Sequence, residues 1–289
     1  MRLDIYLAQY WPEQSRSQWQ KLCKAGHVTV NGEVVTSTKF ELGEDDAVAV
    51  NVPAAPDHSD EVLPVLYSDE NVMVINKPAG ILTHAKGAQL NEFSVAEFMR
   101  RHMAPGEETG NRPGIVHRLD RDTSGIIIGA RNEATRTYLQ KQFSQRTVKK
   151  KYLALVDGIL AQDEAIIQLP IERNPKKPST FRVGASGKSA ETRYRVLWRN
   201  EKQCLVELAP LTGRTHQLRV HLAHLGAPIA GDRVYNQAAQ QSARLGLHAF
   251  SLELTLPGGI RKVFTTPPPK DFRALLPSDA LEALDGFIA

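Results

Sequence analysis

The sequence predicts an α+β protein, in which a large domain built on a mixed, largely antiparallel sheet follows a small α+β module. In the larger part, β-prone runs outnumber helical ones, and short turns rather than helical crossovers join several of them. The first fifty residues show the order helix, helix, hairpin, strand. A Pro-rich, polar run, PAAPDHSD, separates the two parts. We therefore expect a module at 1–52, a linker at 53–60 and a large domain at 61–289.

The N-terminal module begins with two short helices. Apolar residues recur at helical spacing from Leu3 to Tyr10, and Pro12 ends that helix. Ser15 or Ser17 can cap a second helix, which turns its apolar side chains inward and its basic ones outward.

A hairpin and a third strand complete the module. Asn31-Gly32 lies between two β-prone runs, which is the strongest short-range signal for a hairpin turn. The strand at 47–52 follows an acidic turn, GEDD.

The large domain mixes strands and helices without a repeat. Asn132 can cap a helix that runs to about Ser144. The predicted strands lie at 64–67, 72–75, 126–130, 152–156, 192–198, 205–208 and 248–254.

Composition narrows the class of protein. The 289 residues are 42% hydrophobic and 24% charged, which is typical of a folded globular core. No run approaches the roughly 18 apolar residues of a membrane span, and the start lacks the apolar core of a signal peptide. We therefore expect a cytoplasmic protein without a membrane partner. Two distant cysteines exclude a disulfide scaffold and a four-cysteine zinc site.

Charge is distributed unevenly along the chain. The net charge is +4, but residues 1–60 carry five basic and nine acidic side chains, which leaves the remainder at +8. A basic body suits a polyanionic partner, although a basic soluble protein without such a partner has the same balance.

The sequence contains little that indicates a nucleotide cofactor or a metal site. Residues 187–189 end like a phosphate-binding loop but lack its first glycine, and no other glycine-rich loop occurs. His221 and His224 could share a helix face, yet no glutamate lies between them and Arg219 would repel a divalent cation. We expect neither a metal nor an organic cofactor.

The densest polar cluster, residues 114–125, runs directly into a buried strand, where a rigid loop can hold catalytic groups. We interpret Asp122, Thr123 and Ser124 as a capped turn. Asp120 is the candidate for an active role, because basic residues on both sides favour its ionised form beside an anionic partner.

Two further clusters carry candidate residues. Thr212 or Thr215 can cap a helix, which places Arg214 at the helix entrance; it could bind a carboxylate there, clamp a phosphate or lie on the surface. Tyr152 opens a buried strand after three lysines, as a functional residue or as an interface tyrosine.

Residues 15–32 resemble the S-four RNA-binding domain. In that family the second helix and the following turn face RNA. The resemblance therefore implies RNA contacts in this module at Arg16, Lys21, Lys24 and His27.

The larger domain, from about 60 to 275, resembles the RluA-type pseudouridine synthases. The run HRLDRDTSG at 117–125 is the family signature, although the segment 231–236 departs from the family pattern. The other matching motifs are NKPAG at 76–80, KYLA at 151–154, GRTHQLRVH at 213–221, LHA at 247–249 and TPPPKDF at 266–272.

The resemblance implies a role for each motif residue. Asp120 is the catalytic carboxylate that acts on the ribose of a target uridine, either by attacking the sugar or by removing a proton at C2′. Tyr152 packs on the base and helps to remove the C5 proton, and Arg214 is the salt-bridge partner of Asp120. Arg118 fills the space left when the uridine flips out. The expected RNA contacts of this domain are Lys77, Arg118, Arg121 and Lys150.

The expected function is that of an isomerase, an RNA pseudouridine synthase acting on large-subunit ribosomal RNA as a monomer. The alternatives are a transfer RNA pseudouridine synthase, a non-catalytic RNA-binding factor in ribosome assembly, and a glycosylase that releases the base.

Overall fold

The computed structural model describes residues 1–12, 14–51, 56–85, 92–108, 112–238 and 244–289. The chain divides into two compact units, one formed by the N-terminal residues up to Ser59 and the other by Asp60–Ala85 and Phe93–Ala289. The predicted linker at 53–60 lies partly outside the described residues.

The N-terminal unit has the predicted order of elements. Two helices, α1 (Leu3–Tyr10) and α2 (Arg16–Lys24), precede a three-stranded sheet of order β2-β1-β3. Its strands are β1 (Val28–Val30), β2 (Glu33–Val34) and β3 (Val48–Val50). Leu3, Leu7, Trp19, Cys23, Val28 and Val30 form the buried core.

The hairpin turn of this unit uses left-handed backbone. Asn31 has φ 53° and Gly32 has φ 87°. Positive φ at both central residues defines the type I′ turn that matches strand twist, and Asn-Gly is the pair that adopts it at least cost.

The second unit is built on a nine-stranded sheet. Eight strands follow the order β4-β5-β6-β13-β7-β12-β11-β8, and β14 pairs with β13. The pairings within this sheet are antiparallel, except that β13 runs parallel to β6. The elements of the unit are β4 (Val65–Ser68), β5 (Val72–Lys77), α3 (Val95–Arg100), β6 (Ser124–Ala130), α4 (Glu133–Ser144), β7 (Lys149–Asp157), β8 (Glu164–Gln168), β9 (Ile171–Arg173), β10 (Phe181–Val183), β11 (Glu191–Arg199), β12 (Gln203–Pro210), α5 (Gln217–His224), β13 (Leu247–Thr255), β14 (Arg261–Thr265), α6 (Lys270–Arg273) and α7 (Ser278–Ile288).

This architecture confirms the predicted α+β class with a mixed, largely antiparallel sheet. Asn132 caps α4 as predicted, since its side-chain oxygen accepts a hydrogen bond from the Thr135 N–H at 2.8 Å. Among the described residues, no helix is long and apolar enough to cross a membrane.

The loop that carries the signature motif leads into β6, a strand in the middle of the sheet. Every residue of β6 is buried, and Gly125 near its start has φ +112°. A Cβ at Gly125 would lie 2.2 Å from the carbonyl oxygen of Ala249 on β13, so only glycine permits this close parallel pairing. The loop that ends in β6 is thereby fixed against the sheet.

Candidate active site

A cavity of about 470 Å³ opens in the second unit. Most of its lining comes from the three clusters singled out in the sequence, and the C-terminal end of α4 and Leu247 complete it. Asp120 comes from the loop before β6, Tyr152 from β7, and Arg214, His216 and Arg219 from the turn and first residues of α5.

The backbone on both sides of Asp120 is fixed by the segment that follows β5. Thr83 Oγ1 donates to the Leu119 carbonyl at 2.8 Å and accepts the Leu119 N–H at 3.1 Å. Beyond Asp120, the Arg121 carbonyl accepts from the Gly80 N–H at 2.9 Å. Asp120 therefore belongs to a loop whose backbone is hydrogen-bonded before and after it.

Lys77 occupies a structural position, which corrects its predicted role as an RNA contact. Its side chain is fully buried, and Nζ donates to the carbonyl oxygens of Pro78, Ile81 and Arg121 at 2.8–2.9 Å. Burial lowers the pKa of Lys77 to about 7. A lysine enclosed by backbone carbonyls cannot reach a phosphate, and it holds the Asp120 loop instead.

Arg219, rather than Arg214, is the arginine that contacts Asp120. Arg219 Nη1 lies 3.3 Å from Asp120 Oδ2, while the same guanidinium binds Asp232 through two hydrogen bonds of 2.7 and 2.8 Å. Burial alone would raise the pKa of Asp232, but the hydrogen bonds from Arg219 hold it below its usual value. Asp232 is 1% exposed, so the buried ion pair of Arg219 and Asp232 forms a rigid support beneath Asp120.

Arg214 lines the same cavity but has other partners. Its Nε donates to the Ser189 carbonyl at 3.0 Å, and its backbone N–H donates to Gln217 Oε1 at 3.0 Å. The predicted ion pair between Arg214 and Asp120 is therefore absent from this structure. The physical reason is reach: α5 projects the buried Arg219 towards Asp120, whereas Arg214 precedes the helix.

The start of α5 also differs from the prediction that a threonine caps it. His216 occupies the N-cap position with φ 56°, in the left-handed region, and makes no side-chain capping bond. Thr212 instead accepts the Glu191 N–H and donates to Gln217 Oε1. This turn directs the His216 side chain towards Asp120, and its Nε2 lies 3.9 Å from Asp120 Oδ2.

Tyr152 lies on the cavity wall near the start of β7. Its ring packs between two hydrophobic clusters of the sheet. Burial, together with the charge of Asp120, raises the pKa of the Tyr152 hydroxyl, so the phenol stays protonated at neutral pH. The described residues give this hydroxyl no hydrogen-bond partner, which leaves it available to a bound molecule.

Basic side chains surround the cavity. Arg118 is exposed and Lys150 partly buried, and both line the opening. Burial lowers the pKa of Lys150 to about 8. Arg121 is exposed on the same loop, and its Nε donates to the Gly80 carbonyl at 3.0 Å. A rim with this charge is suited to a polyanion such as RNA.

His117 has a structural role. Its Nε2 accepts the Ile128 N–H at 3.1 Å, and its ring stacks on Phe143 with centroids 4.6 Å apart. Burial, with the nearby charge of Lys150, lowers the pKa of His117 to about 3. The ring is thus a neutral part of the wall.

In the N-terminal unit the four predicted RNA contacts differ in availability. Arg16 donates two hydrogen bonds to the buried Asp4 at 3.0–3.1 Å, although about half of its side chain remains exposed. Lys21 and Lys24 are exposed on α2, and His27 is partly buried. Arg16 therefore has a structural partner, whereas the two lysines carry the exposed charge of this helix.

The histidines of α5 do not form a ligand pair. His221 is buried, with Nδ1 3.0 Å from Thr192 Oγ1 and Nε2 2.9 Å from the Leu169 carbonyl. Within the described part of the chain, no cluster of three histidine, cysteine or acidic side chains could hold a metal ion.

Sequence reasoning missed three residues of this site. Thr83, Arg219 and Asp232 were not predicted to be functional, because each acts through a partner distant in sequence. The only local signal was the acidic residue in the turn 231–236, the segment that departs from the family pattern.

Comparison with known proteins identifies the family of both units. Residues 71–224 match the model of the RNA pseudouridylate synthase family, and residues 1–48 match the S4 domain. The first match includes the loop of Asp120, Tyr152 and the helix of Arg219. The chain belongs to the RNA pseudouridylate synthases, and it is an isomerase with an N-terminal S4 RNA-binding domain.

Relatives and solved structures support the assignment along most of the chain. The chain is 39% identical to an uncharacterized RNA pseudouridine synthase of Aquifex aeolicus, over 81% of its own length and 76% of the relative. It is 36% identical to ribosomal large subunit pseudouridine synthase D of Nitrosomonas europaea, over 96% and 83%. The structure of human RNA pseudouridylate synthase domain containing 1 superposes with a TM-score of 0.60 at 29% identity, covering 78% of this chain and 95% of that one.

Proposed function

We propose that this enzyme isomerises uridine to pseudouridine in large-subunit ribosomal RNA, with Asp120 as the group that acts on the ribose. The observation that supports it most directly is the position of the Asp120 carboxylate, which lies on the cavity wall against Arg219 and on a loop fixed at both ends. The choice of RNA rests on relatives named ribosomal large subunit pseudouridine synthase D, which are 34–38% identical to this chain.

The reaction requires that one bond be exchanged for another on the same sugar. The N1–C1′ bond breaks, positive charge develops at the sugar, and uracil turns and rejoins through C5. C5 loses a proton and N1 gains one, so that no oxidant or co-reactant is consumed. A carboxylate can trap C1′ covalently or remove the proton at C2′, and both routes need Asp120 ionised beside the sugar.

Arg219 is the positioning residue for that carboxylate. Its guanidinium is held by two hydrogen bonds to Asp232, so its Nη1 presents a fixed donor to Asp120. Although burial lowers it, the hydrogen bond and charge of Asp232 raise the pKa of Arg219 above its usual value, which keeps the cation permanently charged. Such a donor orients Asp120 without moving during the reaction.

Tyr152 provides an aromatic surface for the uracil base. Its unpaired hydroxyl stays protonated, so it can relay the C5 proton while remaining a neutral phenol. Stacking on the ring holds the base in the pocket during its rotation.

The basic rim binds the backbone of the RNA. We assign phosphate contacts to Arg118 and Lys150, which line the cavity, to the exposed Arg121 on the same loop as Arg118, and to Lys21 and Lys24 on α2. Arg118 also fills the space of the flipped uridine. The cavity groups named above come from one chain, so a monomer suffices for this chemistry. We also propose a cytoplasmic location.

Mapping pseudouridines in total RNA tests the proposed substrate. A strain that lacks this gene should lose the modification at one or a few uridines of large-subunit RNA. The parent gene should restore it, and the Asp120→Asn gene should not. Loss confined to transfer RNA would identify that RNA as the substrate instead, while an unchanged map would indicate a non-catalytic factor.

A further inference from the structure

His216 lies beside Asp120 without being hydrogen-bonded to it. Its Nε2 is 3.9 Å from Asp120 Oδ2, which is too long for a direct hydrogen bond. The ring is held edge-on between Phe181 and Tyr235, with centroid distances of 5.7 and 5.6 Å. Its side chain is 19% exposed, and the residue lines the cavity.

The other ring nitrogen of His216 has a defined partner. Nδ1 lies 2.8 Å from the hydroxyl oxygen of Tyr235, and that oxygen also accepts the Phe181 N–H at 2.9 Å. The hydroxyl has one proton, and Nδ1 lies within hydrogen-bond distance of it as an acceptor. Donation of this proton to Nδ1 gives both atoms a partner, and in that arrangement the neutral imidazole carries its proton on Nε2.

Burial keeps the His216 ring neutral and the Tyr235 hydroxyl protonated. The charged groups that face His216 are Asp120, Arg219, Asp232 and Arg118. Burial lowers the pKa of His216 despite the two carboxylates, so the ring is neutral at neutral pH. Burial also raises the pKa of Tyr235, which keeps its hydroxyl a donor.

The spacing of Nε2 and Oδ2 allows both atoms to bind one oxygen. An oxygen about 2.9 Å from each completes a triangle on the 3.9 Å base. That oxygen must accept the Nε2–H and donate to the carboxylate, so it belongs to a hydroxyl group or to water, and not to a carbonyl or phosphate. Within an RNA chain, O3′ and O5′ are esterified, so the free hydroxyl of the ribose is the 2′-hydroxyl.

We propose that His216 is a catalytic residue that binds the 2′-hydroxyl of the target nucleotide together with Asp120, and that Tyr235 is the positioning residue that fixes its tautomer. The proposal rests on the proposed function. The 2′-hydroxyl is the group that distinguishes RNA from DNA, so this pair of residues would also make the site selective for RNA.

The first test measures the tautomer directly and does not depend on activity. Long-range proton–nitrogen NMR spectra of the ¹⁵N-histidine-labelled protein at neutral pH should show His216 as the neutral Nε2–H form. In Tyr235→Phe this signal should change towards a mixture of tautomers. A neutral Nδ1–H form or a charged ring in the parent protein would overturn the proposal.

The second test uses the RNA fragment around the uridine found by mapping, prepared with a 2′-hydroxyl or a 2′-hydrogen at that nucleotide. Single-turnover isomerisation and equilibrium affinity are measured for both RNAs. The parent should prefer the hydroxyl by about tenfold or more, the effect of one or two hydrogen bonds. His216→Asn keeps the left-handed backbone and can still reach Tyr235, but it lacks a donor at the Nε2 position.

In His216→Asn the preference for the hydroxyl should fall at least severalfold, and His216→Gln, whose longer amide reaches further, should restore part of it. In Tyr235→Phe the preference for the hydroxyl should lie between those of the parent and His216→Asn. An unchanged preference in His216→Asn would contradict the proposal. A parent enzyme that isomerises no RNA would refute the proposed function, while the NMR result would still decide the tautomer.

Discussion

Thr83 and Leu119 exchange two hydrogen bonds across the base of the active-site loop. The Thr83 hydroxyl donates to the Leu119 carbonyl at 2.8 Å and accepts the Leu119 N–H at 3.1 Å, and Thr83 is 3% exposed. Since Leu119 directly precedes Asp120, the Thr83 side chain fixes the backbone on one side of the carboxylate.

Thr83→Val should lower kcat about tenfold or more with little change in RNA affinity, because the isosteric side chain leaves both backbone groups of Leu119 unpaired. Thr83→Ser retains the hydroxyl and should recover most of the activity. Steady-state kinetics with binding measurements would check this. Equal kcat for the valine and serine variants would show that the hydroxyl does not position Asp120.

Arg219→Lys should lower kcat more than Arg214→Lys. A lysine at 219 cannot bind Asp232 through two parallel hydrogen bonds while donating to Asp120. Arg214 lines the cavity but contacts the Ser189 carbonyl rather than Asp120, so its replacement should act on RNA binding and raise KM. Kinetics of the two variants on the same RNA measure the difference. A larger loss of kcat in Arg214→Lys would restore the assignment made from the sequence.

The contrast between the two arginines shows what the sequence could predict. Turn chemistry is local, so the Asn31-Gly32 hairpin and the Asn132 cap were predicted correctly. The choice between Arg214 and Arg219 depends on Asp232, whose position beside α5 is set by the tertiary structure. Local patterns do not contain it.

Lys77 shows that the sequence also assigned a functional role to a residue that is structural. A lysine beside a glycine-containing turn resembles a surface contact, and its burial depends on carbonyls up to 44 residues away. Helix α7 was also missed. It packs on β11, and the Trp198 indole donates to Asp279 at 2.9 Å, which again are contacts between distant segments.

Stability should fall as the pH is lowered from about 6.5, and His117→Gln should weaken that dependence. The pKa of folded His117 is about 3, below the value of about 6.5 in an unfolded chain. Between these values the unfolded state binds one more proton, so acid favours unfolding by at most about 1.4 kcal/mol per pH unit from this residue. Glutamine can still accept the Ile128 N–H but does not titrate.

Urea unfolding at several pH values would measure this effect. His248, whose pKa burial lowers to about 4, should retain its own share of the slope in the variant. An unchanged slope in His117→Gln would mean that His117 titrates normally in the folded protein.

Replacing Lys21 and Lys24 together by alanine should make RNA binding less dependent on salt. For every phosphate that is no longer neutralised by a lysine, the slope of log K against log salt should decrease by about 1. Lys39→Ala removes an exposed lysine outside α2 and serves as the control. Binding isotherms over a range of salt concentrations provide the slopes. If the double variant and the control have the same slope, α2 does not bind phosphates.

Release of tritium from RNA labelled at uridine C5 tests the role of Asp120 most directly. Asp120→Asn is nearly isosteric, so it should fold and bind RNA as the parent does while releasing tritium at less than about a hundredth of the parent rate, a barrier increase of roughly 2.7 kcal/mol. Asp122→Asn, an exposed acid two residues along the same loop, should remain active. Release by Asp120→Asn above that rate would show that another group acts on the ribose.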